Sequence, residues 1–452
     1  MLIRKLFVLI CTLSIGSAWA QTYTSSPFSA QGLGEEGALN DGLFSALGNV
    51  KAAVIDSNVV NCYNPSSYAF LSKGQPLFNM GLSSRASSYK YGASSANGLV
   101  VGLTQIVMVL PLNKRLGMAA GLQPFSRKGY AINSKDALSD DSISYSFLGS
   151  GSTNKVFVGL SYKMIATRRH ELAFGGNAAY LFGSVTNERR AVFKSLSPAG
   201  GIDLTTYRLN SVYYDLGATY RLKFDDQGRN QLTIGAIVTP EQLLNANLDY
   251  GLFYSDDVTD QTQYDTIVPL ITNDNGTIRY PQSTTIGFNY AFRPLDKESK
   301  LKSIYQISVY ADYTKTQWSR FSTEFAQHTS AFTYQDATKW SFGVQYTPSF
   351  EFMTKAAGAG FAGKLRYRAG FYTATLPMSQ NGIQVSERAI SAGIGIPFAA
   401  LKSNSVFNIG VLYGSRSNGT TIGLSENFLS LNFGIVLAPS SYEKWFKKYK
   451  LD

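Results

Sequence analysis

Near its C-terminus the chain runs Leu429-Ser-Leu-Asn-Phe-Gly-Ile-Val-Leu437, with Leu429, Leu431, Phe433, Ile435 and Leu437 on one face of an extended strand. Ser430, Asn432, Gly434 and Val436 fall on the other face. Strict period two of this kind specifies a strand with one apolar face. A soluble sandwich could use one such strand. Here the pattern recurs from about residue 76 to the end, with no helical period competing. Many alternating segments of about ten residues separated by turn residues are the mark of a transmembrane β-barrel. In lipid only a closed barrel satisfies the backbone groups of every strand, so the last strand must close on the first.

Alternation places strands at about 76–92, 98–112, 115–126, 154–166, 170–187, 205–223, 229–254, 277–295, 303–318, 337–350, 364–379, 385–399, 404–418 and 424–439. These fourteen make an even number, as a bacterial single-chain barrel requires. Loop parity agrees. Short inner turns fall at Asn113-Lys-Arg115, Thr167-Arg-Arg169, Asp225 to Arg229, 296–302 and 400–403. Longer polar outer loops fall at 127–153, 188–204, 255–276 and 319–336, and a Gly- and Ala-rich inner connection at 351–363 is the exception. Charged residues are only 16% of the chain, whereas Tyr and Phe number 28 each, enough for two aromatic girdles.

The expected organisation is a signal peptide over 1–20, an N-terminal lumen plug over 21–75, and an all-β, antiparallel transmembrane barrel over 76–452 ending in a short periplasmic tail. Arg4 and Lys5, the apolar run Leu6 to Ile15 and Ser17-Ala-Trp-Ala20 form the signal. Its loss lowers the formal charge from +11 to +9 and leaves Cys62 as the one cysteine. The dispersed basic charge of an exported chain argues against nucleic acid as a partner, and an exported, helix-poor, aromatic-rich chain without a helical span points to the outer membrane of a Gram-negative cell. The densest basic cluster, Lys444 to Lys450, reads as a solvated end beside lipid headgroups, with contact to another protein as the other reading.

Residues 21–75 alternate poorly, yet carry Phe28, Leu33, Leu43 and Phe44, which can be buried inside a barrel and are the candidate contacts for an apolar ligand. A charge on the lipid face costs about 2–4 kcal/mol at mid-membrane, which sends Arg85, Asp215, Arg221, Asp312, Arg366, Arg368 and Arg416 to the lumen. Their expected role is to neutralise one another around the plug rather than to select ions. The 41 glycines fall repeatedly on the inward face, where closely approaching lumen contents need small residues. Interrupted alternation at Thr239-Pro-Glu-Gln-Leu-Leu244 marks a bulge or bend in the seventh strand.

Catalysis has little to stand on. The two histidines are His170, at an inner turn, and His328, in an outer loop. Neither the spacing of a hydrolase triad nor that of a transition-metal site is present, and the loop acids Asp256, Asp257 and Asp260 lack EF-hand spacing. The expectation is a protein that is not an enzyme, with no cofactor and no metal.

Ala46-Leu-Gly48 through Asn64-Pro-Ser-Ser-Tyr-Ala69 resembles the N-terminal plug of the FadL-type outer-membrane transporters of long-chain fatty acids and other hydrophobic compounds. There a glycine-bearing stretch leads to an Asn-Pro-Ala-type motif just before the first strand. Here the motif reads Asn64, Pro65, Ser66, Ser67, Tyr68, with Ser66 in the third place and Leu47-Gly48 where Gly-Gly is usual. Arg279-Tyr-Pro through Tyr290, and the ending Phe428 to Leu437 followed by Glu443-Lys-Trp-Phe446, are similar to the same family. The resemblance implies fourteen strands, a lumen plug and lateral delivery through a wall opening. It points to uptake of hydrophobic compounds, with membrane lipids and an apolar small molecule as partners. The alternative is a non-transporting barrel serving as scaffold or carrier in a protein secretion complex, with a protein partner at the loops or periplasmic turns. An open porin is disfavoured by the long N-terminal segment.

Overall fold

The computed structural model describes residues 26–37, 40–56, 59–71, 76–137, 142–193, 200–255, 265–294, 305–327, 333–348, 361–397, 405–420 and 423–438. The signal, the C-terminal tail, His328 and the loop acids Asp256, Asp257 and Asp260 lie outside them, as do the 296–302 and 400–403 turns and most of 351–363. A two-residue strand β1 (Glu35–Glu36) and a short helix α1 (Gly42–Ala46) precede the wall. The wall begins with β2 (Leu77–Tyr91), β3 (Ser94–Pro111) and β4 (Leu116–Arg127), followed by a hairpin strand β5 (Tyr130–Ala137). Next come β6 (Ser142–Ala166), β7 (His170–Phe193), β8 (Gly200–Lys223), β9 (Asn230–Thr239), β10 (Gln242–Ser255), a short β11 (Asp265–Thr266) and β12 (Ile271–Tyr280). The circuit continues through β13 (Ser283–Phe292), β14 (Gln306–Thr316), β15 (Ser322–Phe325) and β16 (Ala337–Thr347). It ends with β17 (Arg366–Gln380), β18 (Ile383–Pro397), β19 (Val406–Ser417) and β20 (Ser425–Leu437).

All ladders are antiparallel, and β20 closes on β2, with Gly434 opposite Gly81. Closure removes the sheet edges that lipid cannot hydrogen-bond. β9 with β10, β12 with β13, and β14 with β15 each form one wall strand broken across its middle, so the barrel has fourteen staves. The breaks fall at Pro240, at Pro281 and at the 3₁₀ turn Trp318–Arg320. Proline cannot donate to a ladder. At the first break the side chain of Gln242 replaces the missing backbone, accepting from Tyr214 N and donating to Tyr214 O. The interruption expected at Thr239 to Leu244 is this break. The two strands expected over 229–254 and 277–295 are therefore each a pair.

Alternation sets the two faces. Val212, Tyr214 and Leu216 point outward from β8, while Tyr213 and Asp215 point inward. Trp340, Phe342, Val344 and Tyr346 do the same on β16, and Ile390 on β18. Leu365, which follows a 3₁₀ turn (Phe361–Lys364) and precedes β17, is buried. The resulting apolar belt makes a closed barrel built to span an outer membrane.

At the short-turn end, the periplasmic end by barrel convention, Asn113 Oδ1 accepts from Arg115 N and Leu116 N to close a tight turn. At the other end the expected outer loops 127–153 and 188–204 are largely strand. β6 is 25 residues long, on the order of 80 Å of extended chain, far more than an apolar band of about 25 Å. Beyond the membrane both faces are solvated, so the hydrophobic period vanishes while the ladder continues.

Candidate functional site

The N-terminal segment lies in the lumen, and a belt of inward glycines lets its backbone touch the wall. Ideal Cβ atoms built on Gly117, Gly217, Gly235, Gly370 and Gly434 would fall within 2.2 Å of Tyr68 O, Asn64 Oδ1, Ala52 O, Gly48 N and Asp41 Oδ1. Each glycine is thus a seat for one part of the segment. Asp41 caps α1 through Leu43 N at 2.9 Å and accepts from Asn79 and Gln105 of the wall.

The Asn64 to Tyr68 motif is a 3₁₀ turn pinned on all sides. Asn64 Oδ1 accepts from Ser66 N at 3.1 Å, while its Nδ2 donates to Ala52 O at 2.6 Å and to Thr219. Pro65 packs on Gly175 and Gly217. Ser66 meets the Thr219 hydroxyl, Ser67 donates to Asn61 O, and the Tyr68 hydroxyl donates to Asn177. The motif fastens the segment to β6, β7 and β8.

Among the expected ligand contacts, Phe28 lines a cavity. Leu43 and Phe44 are closed in a core with Leu47, Val50 and Val54, and Leu33 in the larger core that also holds Tyr68, Phe125 and Tyr213. The seven expected lumen charges all face inward, but among the described residues none pairs with another of the seven. Arg85 meets Glu426, Arg221 meets Glu171 and Arg366 meets Asp56. Arg416 joins Glu35, Glu387 and Glu426. Arg368 donates to Gln345 and Asn408, Asp215 accepts from Asn177, and Asp312 accepts from Lys51 N and Ala52 N. Their partners are acids and amides of the other strands and of the segment itself.

Among the cavities on the outer side of the segment, two share part of their lining. The first, about 260 Å³, is walled by Phe28, Trp318, Tyr334, Leu376, Pro377 and Met378, over a floor that includes Glu35, Glu36, Lys339 and Arg416. The second, about 360 Å³, shares Glu35, Glu36, Thr314, Thr316 and Lys339 with it and is markedly more polar. Lys51, Lys155 and Lys339 face this second chamber, and their ammonium groups make no ion pair within 4 Å among the described residues. Their ammonium groups rest on the rings of Tyr63, Tyr213 and Tyr372, a favourable use of ring quadrupoles.

The second chamber reaches a break in the wall that sequence reading missed. β3 and β4 pair only from Ile106 opposite Leu122 to Pro111 opposite Gly117. At Thr104 a bulge shifts the register of β3 against β2, and above it β3 and β4 are unpaired. Bulges commonly end pairing in this way. The freed edge of β4 takes up β1, with Glu35 opposite Arg127 and Glu36 opposite Ser126. Arg127 spans the gap, its Nη2 donating to Leu103 O at 2.7 Å. Pro124, inside an alternating strand, was the available signal, since proline in a sheet marks an edge or a bulge.

Burial pushes the Glu36 carboxyl up to about 7, against the opposing pull of the Tyr280 hydroxyl, which donates to it at 2.6 Å, and of Lys155. A raised carboxyl favours the folded arrangement while it is protonated. Its contribution is full below the ordinary carboxylate range and is lost as pH rises through about 7. Hydrogen-exchange protection of β1, corrected for intrinsic rate, is therefore expected to fall with a midpoint near pH 7. Glu36→Gln should abolish that midpoint, and an unchanged profile in the variant would contradict the assignment.

The BamG family model matches residues 2–452. The chain belongs to the BamG family. In fold this BamG-family chain is similar to the toluene transporter TodX of P. putida, at 17% identity and TM-score 0.52 over 91% of this chain and 100% of that one. It is similar also to the Ralstonia pickettii toluene transporter TbuX, at 14% identity and TM-score 0.52 over 88% and 98%. A Pseudomonas aeruginosa FadL homologue matches at 13% identity and TM-score 0.51 over 89% and 98%. No curated protein matches it in sequence. At these identities the likeness concerns the fold, which is the FadL-type barrel suggested by the plug motif. Two of these neighbours are named as toluene transporters.

Proposed function

We propose that this BamG-family barrel takes up hydrophobic compounds across the outer membrane, long-chain fatty acids among them, and that residues 1–20 export it as a signal peptide. The observation that carries this reading is the apolar cavity beside Phe28, which shares lining residues with the lysine-lined chamber beside the β3/β4 gap. An apolar molecule gains by leaving water for such a cavity, and at about 260 Å³ the cavity lies just under the lower edge of ligand pockets, roughly 300–1,000 Å³. The three lysines below would suit a carboxylate head, and the gap would release the molecule sideways into the membrane. The structural neighbours named as toluene transporters and FadL homologue support the same substrate class.

Binding of a radiolabelled long-chain fatty acid and of toluene to the purified protein tests this. Leu376→Trp, which fills the cavity, is expected to weaken binding of both at least tenfold. Lys155→Gln is expected to weaken the fatty acid alone. Equal binding by wild type and Leu376→Trp would overturn the reading.

One observation favours the alternative, a non-transporting barrel that serves as scaffold or carrier in a protein secretion complex. Below the two cavities lies a segment whose glycine seats and hydrogen bonds reach most of the way around the wall. Such a barrel would hold its partner at the loops or periplasmic turns and would bind neither probe.

A further inference from the structure

The outward positions of β8, from Phe224 just past its inner end up to Val212, are all apolar or aromatic. Twelve residues of strand rising about 3.3 Å each and tilted about 40° climb about 30 Å, enough to cross an apolar band of about 25 Å. The next outward position is Asn210, which therefore stands at the level of the outer head groups. There the outward face changes character. Asn247 of β10 lies opposite Arg208 of β8 on one side and Asn275 of β12 on the other. Asn210 Nδ2 donates to Asn247 Oδ1 at 3.2 Å, and Asn247 Nδ2 donates to Asn275 at 2.9 Å and to Asn273 at 2.6 Å. Both acceptors come within reach because the β10/β12 register shifts between Leu248 and Tyr250 and Asn273 takes φ +57°. Asparagine enters that left-handed region more readily than most residues.

The ladder leaves hydrogen-bonding capacity on its outer side. It uses one hydrogen of Asn210 and the oxygens of Asn273 and Asn275, so the oxygen of Asn210 and the amino groups of the other two stay open. Asn245, exposed one pleat nearer the belt, makes no side-chain hydrogen bond among the described residues. Charge around the ladder is balanced. Arg208 pairs with Asp249, Arg279 with Glu241 and Glu324, and Arg320 with Glu241. Three cations meet three carboxylates, which leaves no surplus for a phosphate or an acidic partner.

We infer that this amide ladder is a docking surface for the sugar head group of an outer-leaflet glycolipid, whose chains lie on Val212, Tyr214 and Leu243 below it. Those three residues are exposed on the same outward face. The ladder continues the lipid-facing belt on the same strands, so the lipid that covers the belt brings its head group against the amides. An amide sets a donor beside an acceptor, which matches adjacent hydroxyls of a sugar. The surface is on the outside of the wall and is independent of the uptake reading.

The test places the full mature protein in nanodiscs holding equal amounts of phosphatidylcholine and a neutral diglycosyl diacylglycerol with matched chains. Native mass spectrometry then counts the lipids retained. Wild type is expected to keep the glycolipid at least fivefold over phosphatidylcholine. Asn247→Ala and Asn245→Ala should each lower the glycolipid count at least threefold without changing that of phosphatidylcholine. Asn230→Ala, which removes an outward amide bonded to Tyr290 at the inner rim, should change neither. Resistance to SDS before heating verifies that each variant keeps its barrel. Equal retention of the two lipids by wild type, or equal glycolipid retention by wild type and Asn247→Ala, overturns the inference. So does retention of a phosphorylated glycolipid where the neutral one is not held, since the arginines would then be the recognising groups.

Discussion

Gly370→Val is expected to expel the N-terminal segment from its seat while leaving the barrel closed. A Cβ at Gly370 would fall 2.1 Å from Gly48 N, 2.3 Å from Leu47 C and 2.7 Å from Gly48 Cα, all of them backbone atoms. No side chain can yield there. Gly48 is itself held with φ +66° and donates its N–H to Ser391 Oγ at 3.0 Å, so the strand and the segment are locked on both sides of the contact. Overpacking a core costs roughly 1–3 kcal/mol, and a clash with fixed backbone belongs at the upper end. In limited proteolysis the variant should be cut between residues 40 and 60 at least tenfold faster than wild type, and its conductance in planar bilayers should rise. Gly201→Ala is the control, because the nearest atom to its added Cβ, Phe253 O, is 3.8 Å away. Equal cleavage of Gly370→Val and wild type would remove the glycine belt from the account.

Arg416→Met should be the most destabilising single change in the lumen. Arg416 is 6% exposed and meets Glu35 of β1, Glu387 of β18 and Glu426 of β20. Its removal leaves the buried carboxylates of Glu387 and Glu426 and the partly buried one of Glu35 facing Arg85, which bonds Glu426 at 2.9 Å, and the more distant Lys339. Breaking a buried charge cluster by deleting one partner typically costs about 3–5 kcal/mol, most of it the burden of uncompensated charge. The loss should appear as a lower unfolding midpoint in urea at neutral pH. It should shrink as acid protonates the stranded carboxylates, and adding Glu35→Gln should recover part of it. A pH-independent loss would mean that packing of the guanidinium, rather than its charge, holds the cluster.

The wall was legible because lipid imposes the simplest of patterns. Outward residues such as Ile390 or Val344 must be apolar, so alternation announces strand, face and number together. It was illegible where that requirement lapses. The upper parts of β6, β7 and β8 are solvated on both sides, and their Ser, Thr and Gly read as loop. Pro240 and Pro281 marked the broken staves, the first of them recognised from interrupted alternation. The β3/β4 gap depends on a one-residue register shift at Thr104, which no local period records. For the lumen, burial of Arg85 or Arg416 followed from the cost of charge in lipid. Their partners did not follow, since Glu387 and Glu426 face Arg416, and Glu171 faces Arg221, only once the register of neighbouring strands is fixed, and Arg85 reaches Glu426 only through closure. Phe28 could not be told from Leu33, Leu43 and Phe44 by sequence. All four are buried apolar residues of the same segment, and only its path through the lumen sets one of them beside a cavity.

The uptake account is tested most directly by native mass spectrometry of the protein released gently from its own outer membrane. The account predicts a bound apolar mass, such as a fatty acid, that disappears in Leu376→Trp. A barrel that arrives without such a mass, carrying a stoichiometric protein partner, would contradict uptake and establish the scaffold reading in its place.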